Sequence, residues 1–264
     1  MTKGYSVHIG LNELDPKQYD GWDGRLTACV ADAEAMEAIA KARGFTTHRL
    51  TNGAATRAAL TVHLASLSGI LAAGDQLLVT YSGHGGSVPD RNGDEDDAMD
   101  ETWCLYDGQV LDDELNQLYA KFAPGVRIVV FSDSCHSGTV TKGQNPPVRD
   151  PLSRAMPLDV VARVYSKHRD FYDGLQVTIP KNVVEQVKAS VLLISGCMDD
   201  QTSLDGPFNG AFTSMLLRVW NNGSFTGDLE AFHQAILGNM PKTQQPNLFE
   251  VGAGSQRKNR PFVL

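Results

Sequence analysis

Two short stretches of this 264-residue chain hold side chains that could carry out nucleophilic chemistry. The apolar run QLLVTY at 76–81 leads into Ser82-Gly83-His84-Gly85-Gly86, and RIVVF at 127–131 leads into Ser132-Asp133-Ser134-Cys135-His136-Ser137-Gly138. A thiol attacks a carbonyl only as thiolate, so it needs a base or cation beside it. A histidine between glycines has an open imidazole, because neighbours without side chains let a substrate backbone come close. Cys135 and His84 therefore read as nucleophile and base. His136 is a rival base, but as the sequence neighbour of Cys135 its side chain points away from the thiol. The other cysteines, Cys29, Cys104 and Cys197, read as small buried hydrophobes, and His8, His48, His63, His168 and His233 as structural or solvated residues.

These two stretches need elements that bring them together. Tyr5–Leu11, Phe45–Leu50, Gln76–Tyr81, Arg127–Phe131 and Ser190–Ser195 read as strands, with Asn247–Val251 as a shorter last one. Between them lie helical patterns: Leu26–Arg43, which stops at Gly44, Thr56–Leu71 with Leu60, Leu64, Leu67 and Leu71 on one face, Asp113–Phe122, Ala211–Trp220 and Leu229–Leu237. Strand–helix alternation of this kind predicts an α/β fold with a mostly parallel central sheet and helices on both faces. In such sheets active sites form at the carboxyl ends of strands. Both stretches sit there.

Two segments break the alternation. Asp90–Glu101 has seven carboxylates in twelve residues. Thr139–Val184 is weakly periodic and rich in proline and basic residues, and reads as an insertion. The organisation expected is one domain over 1–264, with a large-subunit-like part at about 1–138, an insertion at about 139–184 and a small-subunit-like part at about 185–264.

Composition narrows the classes further. A net charge of -8 argues against nucleic acid or an anionic membrane as the main partner. No run of 18 apolar residues exists to span a bilayer. The opening MTKGYSVHIGLNELDP does not read as a signal peptide, so a cytoplasmic setting with free thiols is expected. The four cysteines form no C-x-x-C pair and no zinc spacing.

YSGHGG at 81–86 and DSCHSG at 133–138 resemble the His and Cys motifs of the metacaspases and bacterial orthocaspases, caspase-like cysteine peptidases of clan CD. LTACVADAEAM at 26–36, LDDEL at 111–115, ISGCMDDQTS at 194–203 and NGAFTSML at 209–216 extend that similarity in the same order. The resemblance implies a caspase–haemoglobinase fold and hydrolysis after Arg or Lys. The His84–Cys135 separation of 51 residues also matches the caspase spacing of about 50.

The resemblance assigns the amides of Gly85 and Cys135 to the oxyanion of the tetrahedral intermediate. It adds Asp32 and Ser82 to the substrate pocket. Asp133 has a warrant of its own: two residues before the nucleophile, its carboxylate attracts a guanidinium or ammonium and repels an acidic side chain. Many metacaspases are calcium-activated through the acidic loop and the DDE segment, here Asp112 and Asp113, whereas a further family aspartate falls on Lys142. An EF-hand is not expected either, because Glu95 stands where the loop requires glycine. The chemistry itself requires no cofactor, and no metal is assigned.

The expected partners are proteins or peptides with Arg or Lys before the scissile bond, and an activating protein is left open. Lys142, Arg149, Arg154, Arg163, Lys167, Arg169 and Lys181 lie in or beside the insertion, so a protease of this specificity has targets in its own chain. The expectation is a cysteine endopeptidase acting through an acyl-enzyme, in cell death, stress or defence signalling. Its rivals are a silent scaffold of the same fold, a partner-activated or legumain-like clan CD peptidase, and a redox-sensing thiol protein. The last would require a resolving cysteine near Cys135 in sequence, and none is there.

Overall fold

In the computed structural model the described residues are 2–91, 93, 98–135, 153–197, 204–206 and 208–264. In chain order the elements are β1 (Gly4–Gly10), α1 (Cys29–Ala42), β2 (Thr46–Thr51), α2 (Arg57–Ser68), β3 (Gln76–Ser82), β4 (Gly85–Pro89), β5 (Met99–Leu105), β6 (Gly108–Leu111), α3 (Asp112–Tyr119), β7 (Arg127–Asp133), α4 (Leu158–Thr178), α5 (Val183–Gln186), β8 (Ser190–Ser195), α6 (Ala211–Trp220), α7 (Leu229–Leu237) and β9 (Asn247–Gly252). Six strands form one sheet in the order β2-β1-β3-β7-β8-β9. The first five are mutually parallel and β9 runs antiparallel to β8. This is the α/β sheet the alternation predicts.

Successive side chains along a strand point to opposite faces, and that period sorts the core into two halves. Leu77 and Val79 of β3 and Ile128 and Val130 of β7 pack with Leu60 and Leu64 of α2 and Leu115 and Leu118 of α3. Leu78, Val129 and Phe131 pack on the other face with Met36 of α1, Leu216 and Trp220 of α6 and Phe232 of α7. By the same alternation, Ser82 and Asp133 at the strand ends lie on the α1/α6 face. Polar residues occupy those last positions because a pocket lies beyond them.

Three differences from the sequence expectations have physical causes. Helix α1 begins at Cys29, not Leu26, because the preceding amides are engaged elsewhere: Leu26 N–H donates to the Asn12 carbonyl, and Thr27 and Ala28 N–H to the Asp205 carboxylate. The end of the acidic segment is strand. Met99–Leu105 pairs antiparallel with both β4 and β6 to make a second, three-stranded sheet that the charge run conceals. The insertion contains the 21-residue α4. Its apolar signal is short, because Val160, Val161 and Val164 supply most of the buried face and His168 breaks the helix at φ -114°. Among the described residues no helix is long and apolar enough to cross a membrane.

Candidate active site

Strands β3 and β7 are in register, with Ser82 opposite Asp133, so the chain leaves both at the same level of the sheet. His84 lies between β3 and β4. Its carbonyl accepts hydrogen bonds from Tyr81 Oη at 2.7 Å and from Cys104 N–H at 2.9 Å, which fixes the backbone. Gly83 is needed for this turn: a Cβ there would stand 2.6 Å from Tyr81 Oη.

The His84 ring is buried beside Trp22, with centroids 4.7 Å apart. Its Nε2 is 3.1 Å from the Gly24 carbonyl oxygen. A carbonyl only accepts, so Nε2 carries the hydrogen and Nδ1 keeps its lone pair. That Nδ1 is buried without a hydrogen-bond partner. Burial pushes the imidazole down to about 4; the Gly24 carbonyl raises it and the Arg154 charge lowers it further. At neutral pH this is an uncharged base with a vacant lone pair.

Cys135 is buried two residues past the end of β7. Ser132 and Ser134 pair through their hydroxyls at 2.9 Å, and the Ser134 carbonyl accepts from Cys197 Sγ at 3.3 Å. The turn that carries Cys135 is thus tied to itself and to the end of β8.

A segment of the chain itself lies across this corner. Ser153 forms an antiparallel bridge with Leu204, and Ala155 a parallel bridge with Gly85. Between them the Arg154 carbonyl oxygen accepts from Gly85 N–H at 2.9 Å and lies 3.4 Å from Cys135 N–H. Met156 N–H donates to the Gly85 carbonyl at 2.7 Å. The two amides that the family resemblance assigns to the oxyanion therefore converge on one carbonyl.

The Arg154 side chain is fully buried in a pocket of carboxylates. Its Nη2 donates to Asp32 Oδ2 at 2.8 Å and to Asp205 Oδ1 at 2.9 Å. Its Nη1 donates to Ser82 Oγ at 2.8 Å and to the Asp133 carbonyl at 3.1 Å, and is 3.0 Å from Asp133 Oδ2.

Each acid has further support. Ser82 Oγ donates to Asp32 Oδ2 at 2.7 Å, and Asn209 Nδ2 and Gly210 N–H donate to Asp32 Oδ1. Thr213 donates to Asp133 Oδ2 through both N–H and hydroxyl. A Cβ on Gly210 would stand 2.5 Å from the guanidinium, so only glycine fits that wall. Burial and the Asp133 charge push Asp32 up, and Arg154 pulls it back. One cation faces three acids, so the pocket without its guanidinium is strongly anionic.

All the residues expected at the site, namely His84, Cys135, Gly85, Asp32, Asp133 and Ser82, surround Arg154. Cys29 also borders the pocket: burial raises its thiol to about 12, with the Arg154 charge and a Ser82 hydrogen bond acting against that. Asp205, Trp22, Gly24 and Gly210 were not identified from sequence.

Asp112 and Asp113 head α3, which packs on the opposite sheet face. Among the described residues no group of three or more His, Cys, Asp or Glu side chains is placed to hold a metal ion. His136, Lys142, Arg149 and most of the acidic run lie outside the described residues.

Comparison with known proteins agrees with this architecture. A crystal structure of a protein from Geobacter sulfurreducens superposes with TM-score 0.92 at 52% identity, covering 99% of each chain. Caspase-1 from Spodoptera frugiperda shares the fold at TM-score 0.57 and 14% identity, over 98% of this chain and 88% of that one. Metacaspase-1 from Mycosarcoma maydis is 29% identical over 261 residues, covering 83% of this chain and 63% of the relative. Metacaspase-1 from Arabidopsis thaliana is 35% identical over 161 residues, covering 58% and 37%. The chain thus spans less than two thirds of these curated relatives. The caspase-domain model matches residues 14–261, and the chain belongs to that family of C14 peptidases.

Proposed function

We propose that the protein is a cysteine endopeptidase that cuts after Arg, and less readily after Lys, and that the Arg154–Ala155 bond of its own chain is a substrate. One observation carries this reading: the Arg154 guanidinium is paired with Asp32, Asp133 and Asp205 while its carbonyl oxygen faces the Gly85 and Cys135 amides. Side chain and scissile carbonyl are both held as a substrate would be. The bond is also aligned beyond the cut by the Met156 N–H to Gly85 carbonyl contact.

The chemistry follows from these positions. His84 Nδ1 takes the Cys135 thiol proton, and the thiolate attacks the Arg154 carbonyl carbon. Negative charge moves onto the carbonyl oxygen, where the two amides stabilise it, and the 3.4 Å contact shortens as that charge develops. The C–N bond then breaks, and the leaving Ala155 nitrogen takes the proton from His84. His84 then deprotonates a water that attacks the thioester; the C–S bond breaks, the Cys135 sulfur takes the proton back from His84, and Arg154 is released as a carboxylate after losing its acid proton to solvent. The uncut chain is its own competitive inhibitor, because Arg154 fills the pocket a second substrate needs.

Matched fluorogenic peptides ending in Arg, Lys, Asp or Asn test the reading, together with mass spectrometry of the purified chain. Wild type is expected to turn over Arg and Lys peptides and to yield a fragment beginning at Ala155, and Cys135→Ala to do neither. Turnover confined to Asp or Asn peptides, or a cut that persists in Cys135→Ala, would overturn it.

A further inference from the structure

Asp205 is the acid of the pocket that neither the sequence motifs nor the resemblance assigns. Its setting differs from that of its two partners. Asp32 sits on α1 and Asp133 ends β7, whereas Asp205 comes from the segment before α6. Its carboxylate is held from outside the pocket: Oδ2 accepts from Thr27 N–H at 2.7 Å and Thr27 Oγ1 at 2.8 Å, and Oδ1 from Ala28 N–H at 3.2 Å. Three donors at the entry to α1 thus fix the carboxylate without any help from the guanidinium. It is also nearly fully buried.

The two ends of the guanidinium are served by different groups. Nη1 meets Ser82 and Asp133, both at strand ends. Nη2 has two N–H groups and two carboxylates to receive them, Asp32 and Asp205. Lysine offers three N–H groups from a single nitrogen, in place of a planar fork. An ammonium seated where Nη1 lies keeps Asp133 and Ser82, and stays linked to Asp32 through the Ser82 hydroxyl, which donates to Asp32 Oδ2. Asp205 has no such relay. It contacts the guanidinium only at Nη2.

Resting on the endopeptidase reading above, we infer that Asp205 is the residue that makes this pocket prefer arginine over lysine before the scissile bond. Asp32 and Asp133 attract any cation. Asp205 rewards only a side chain with a second nitrogen that can reach it. Its tether to Thr27 and Ala28 matters because a carboxylate free to swing would follow a lysine ammonium and lose the discrimination.

The experiment compares kcat/KM for matched Arg and Lys peptides in wild type, Asp205→Asn and Thr27→Val. Asparagine retains one oxygen to accept from the Thr27 N–H and hydroxyl while losing the charge. Asp205→Asn is expected to lower Arg turnover at least about tenfold and Lys turnover no more than about threefold, so that the Arg:Lys ratio collapses. Thr27→Val removes only the hydroxyl donor and should keep the ratio within about twofold, since two amides still hold the carboxylate.

Equal losses on both peptides, or an unchanged ratio, would reduce Asp205 to a structural tie for residues 27–28 and overturn the inference. An intramolecular readout guards against a fold defect: Arg154→Lys should slow self-cutting in wild type, and this difference should shrink when Asp205→Asn is added. Failure of the wild type to turn over either peptide would instead bring down the endopeptidase reading, and this inference with it.

Discussion

Two buried histidines stand on neighbouring strands of this sheet and share nearly every bulk property. His8 lies within β1 and His84 just past the end of β3. Burial pushes the first down to about 3 and the second to about 4, so both are neutral at physiological pH. What separates them is what their nitrogens meet. His8 Nδ1 is 2.9 Å from Thr80 Oγ1 and its Nε2 is 2.9 Å from Ser6 Oγ, so both lone-pair directions are satisfied by hydroxyls that can donate or accept. His84 is satisfied on one side only, by a carbonyl that fixes its tautomer, and its Nδ1 is left with no partner. Burial and a shifted pKa alone do not mark a catalytic base. On the endopeptidase reading, it is the unpartnered Nδ1 that suits His84, and not His8, to act as the base.

The largest effect expected from this contrast is on turnover. His84→Ala should lower kcat on an Arg peptide by at least about a thousandfold and stop the cut after Arg154, because the thiol loses its proton acceptor. His8→Gln should leave kcat within about threefold and instead lower stability by roughly 1–3 kcal/mol, as buried hydroxyls lose their partners. Peptide kinetics and urea melts on the two variants measure both. A loss of turnover in His8→Gln equal to that in His84→Ala would break the distinction drawn here.

A second effect sets the neutral histidine corner against the charged pocket beside it. Replacing Arg154 by Met in a Cys135→Ala background leaves Asp32, Asp133 and Asp205 without their shared cation. Removing one partner of a buried ionic group costs about 3–5 kcal/mol. The same change should raise the His84 pKa, since the Arg154 charge lowers it, and leave His8 unmoved, whose charged neighbours are Glu37, Lys41 and Arg49. Denaturant melts and NMR titration of the two ring C–H signals read both outcomes.

The same contrast explains what was legible in the sequence. The strands of the six-stranded sheet were readable because most are short apolar runs between turn signals, and β3 and β7 end where reactive residues begin. His84 and Cys135 were readable because glycine and serine surround them where packing alone would not call for either. Asp32 required the family pattern, since an acid in the first turn of a helix is ordinary.

The occupancy of the pocket was not legible. Arg154 was one of seven basic residues in or beside the insertion, and nothing in the local string PLSRAMP separates it from the others. Its selection depends on Gly85, Asp205 and Gly210, which lie 69, 51 and 56 positions away in the chain. Asp205 was missed for the same reason: its partners Thr27 and Ala28 are 178 and 177 residues off. Long-range pairing of charges leaves no periodic trace, whereas strands and helices do.

The smallest effect is on stability against pH, and it distinguishes the histidines by how cutting alters them. Both have folded pKa values below the unfolded 6.5, so as pH falls below 6.5 the unfolded chain takes up protons that the folded chain refuses. Stability therefore falls as pH drops from 6.5 toward 4 for His84 and toward 3 for His8. Each contributes a slope of up to about 1.4 kcal/mol per pH unit. In uncut Cys135→Ala protein, adding His84→Gln or His8→Gln should each flatten the slope by roughly that amount. After cutting, departure of Arg154 opens the His84 corner to water and lifts its pKa, while His8 stays enclosed by Ser6 and Thr80. Urea melts between pH 4 and 7 on the same variants, cut in trans by added wild-type enzyme, should then show His84→Gln with almost no effect on the slope and His8→Gln with its full effect. A His84→Gln effect that survives cutting unchanged would mean that Arg154 does not close the catalytic corner.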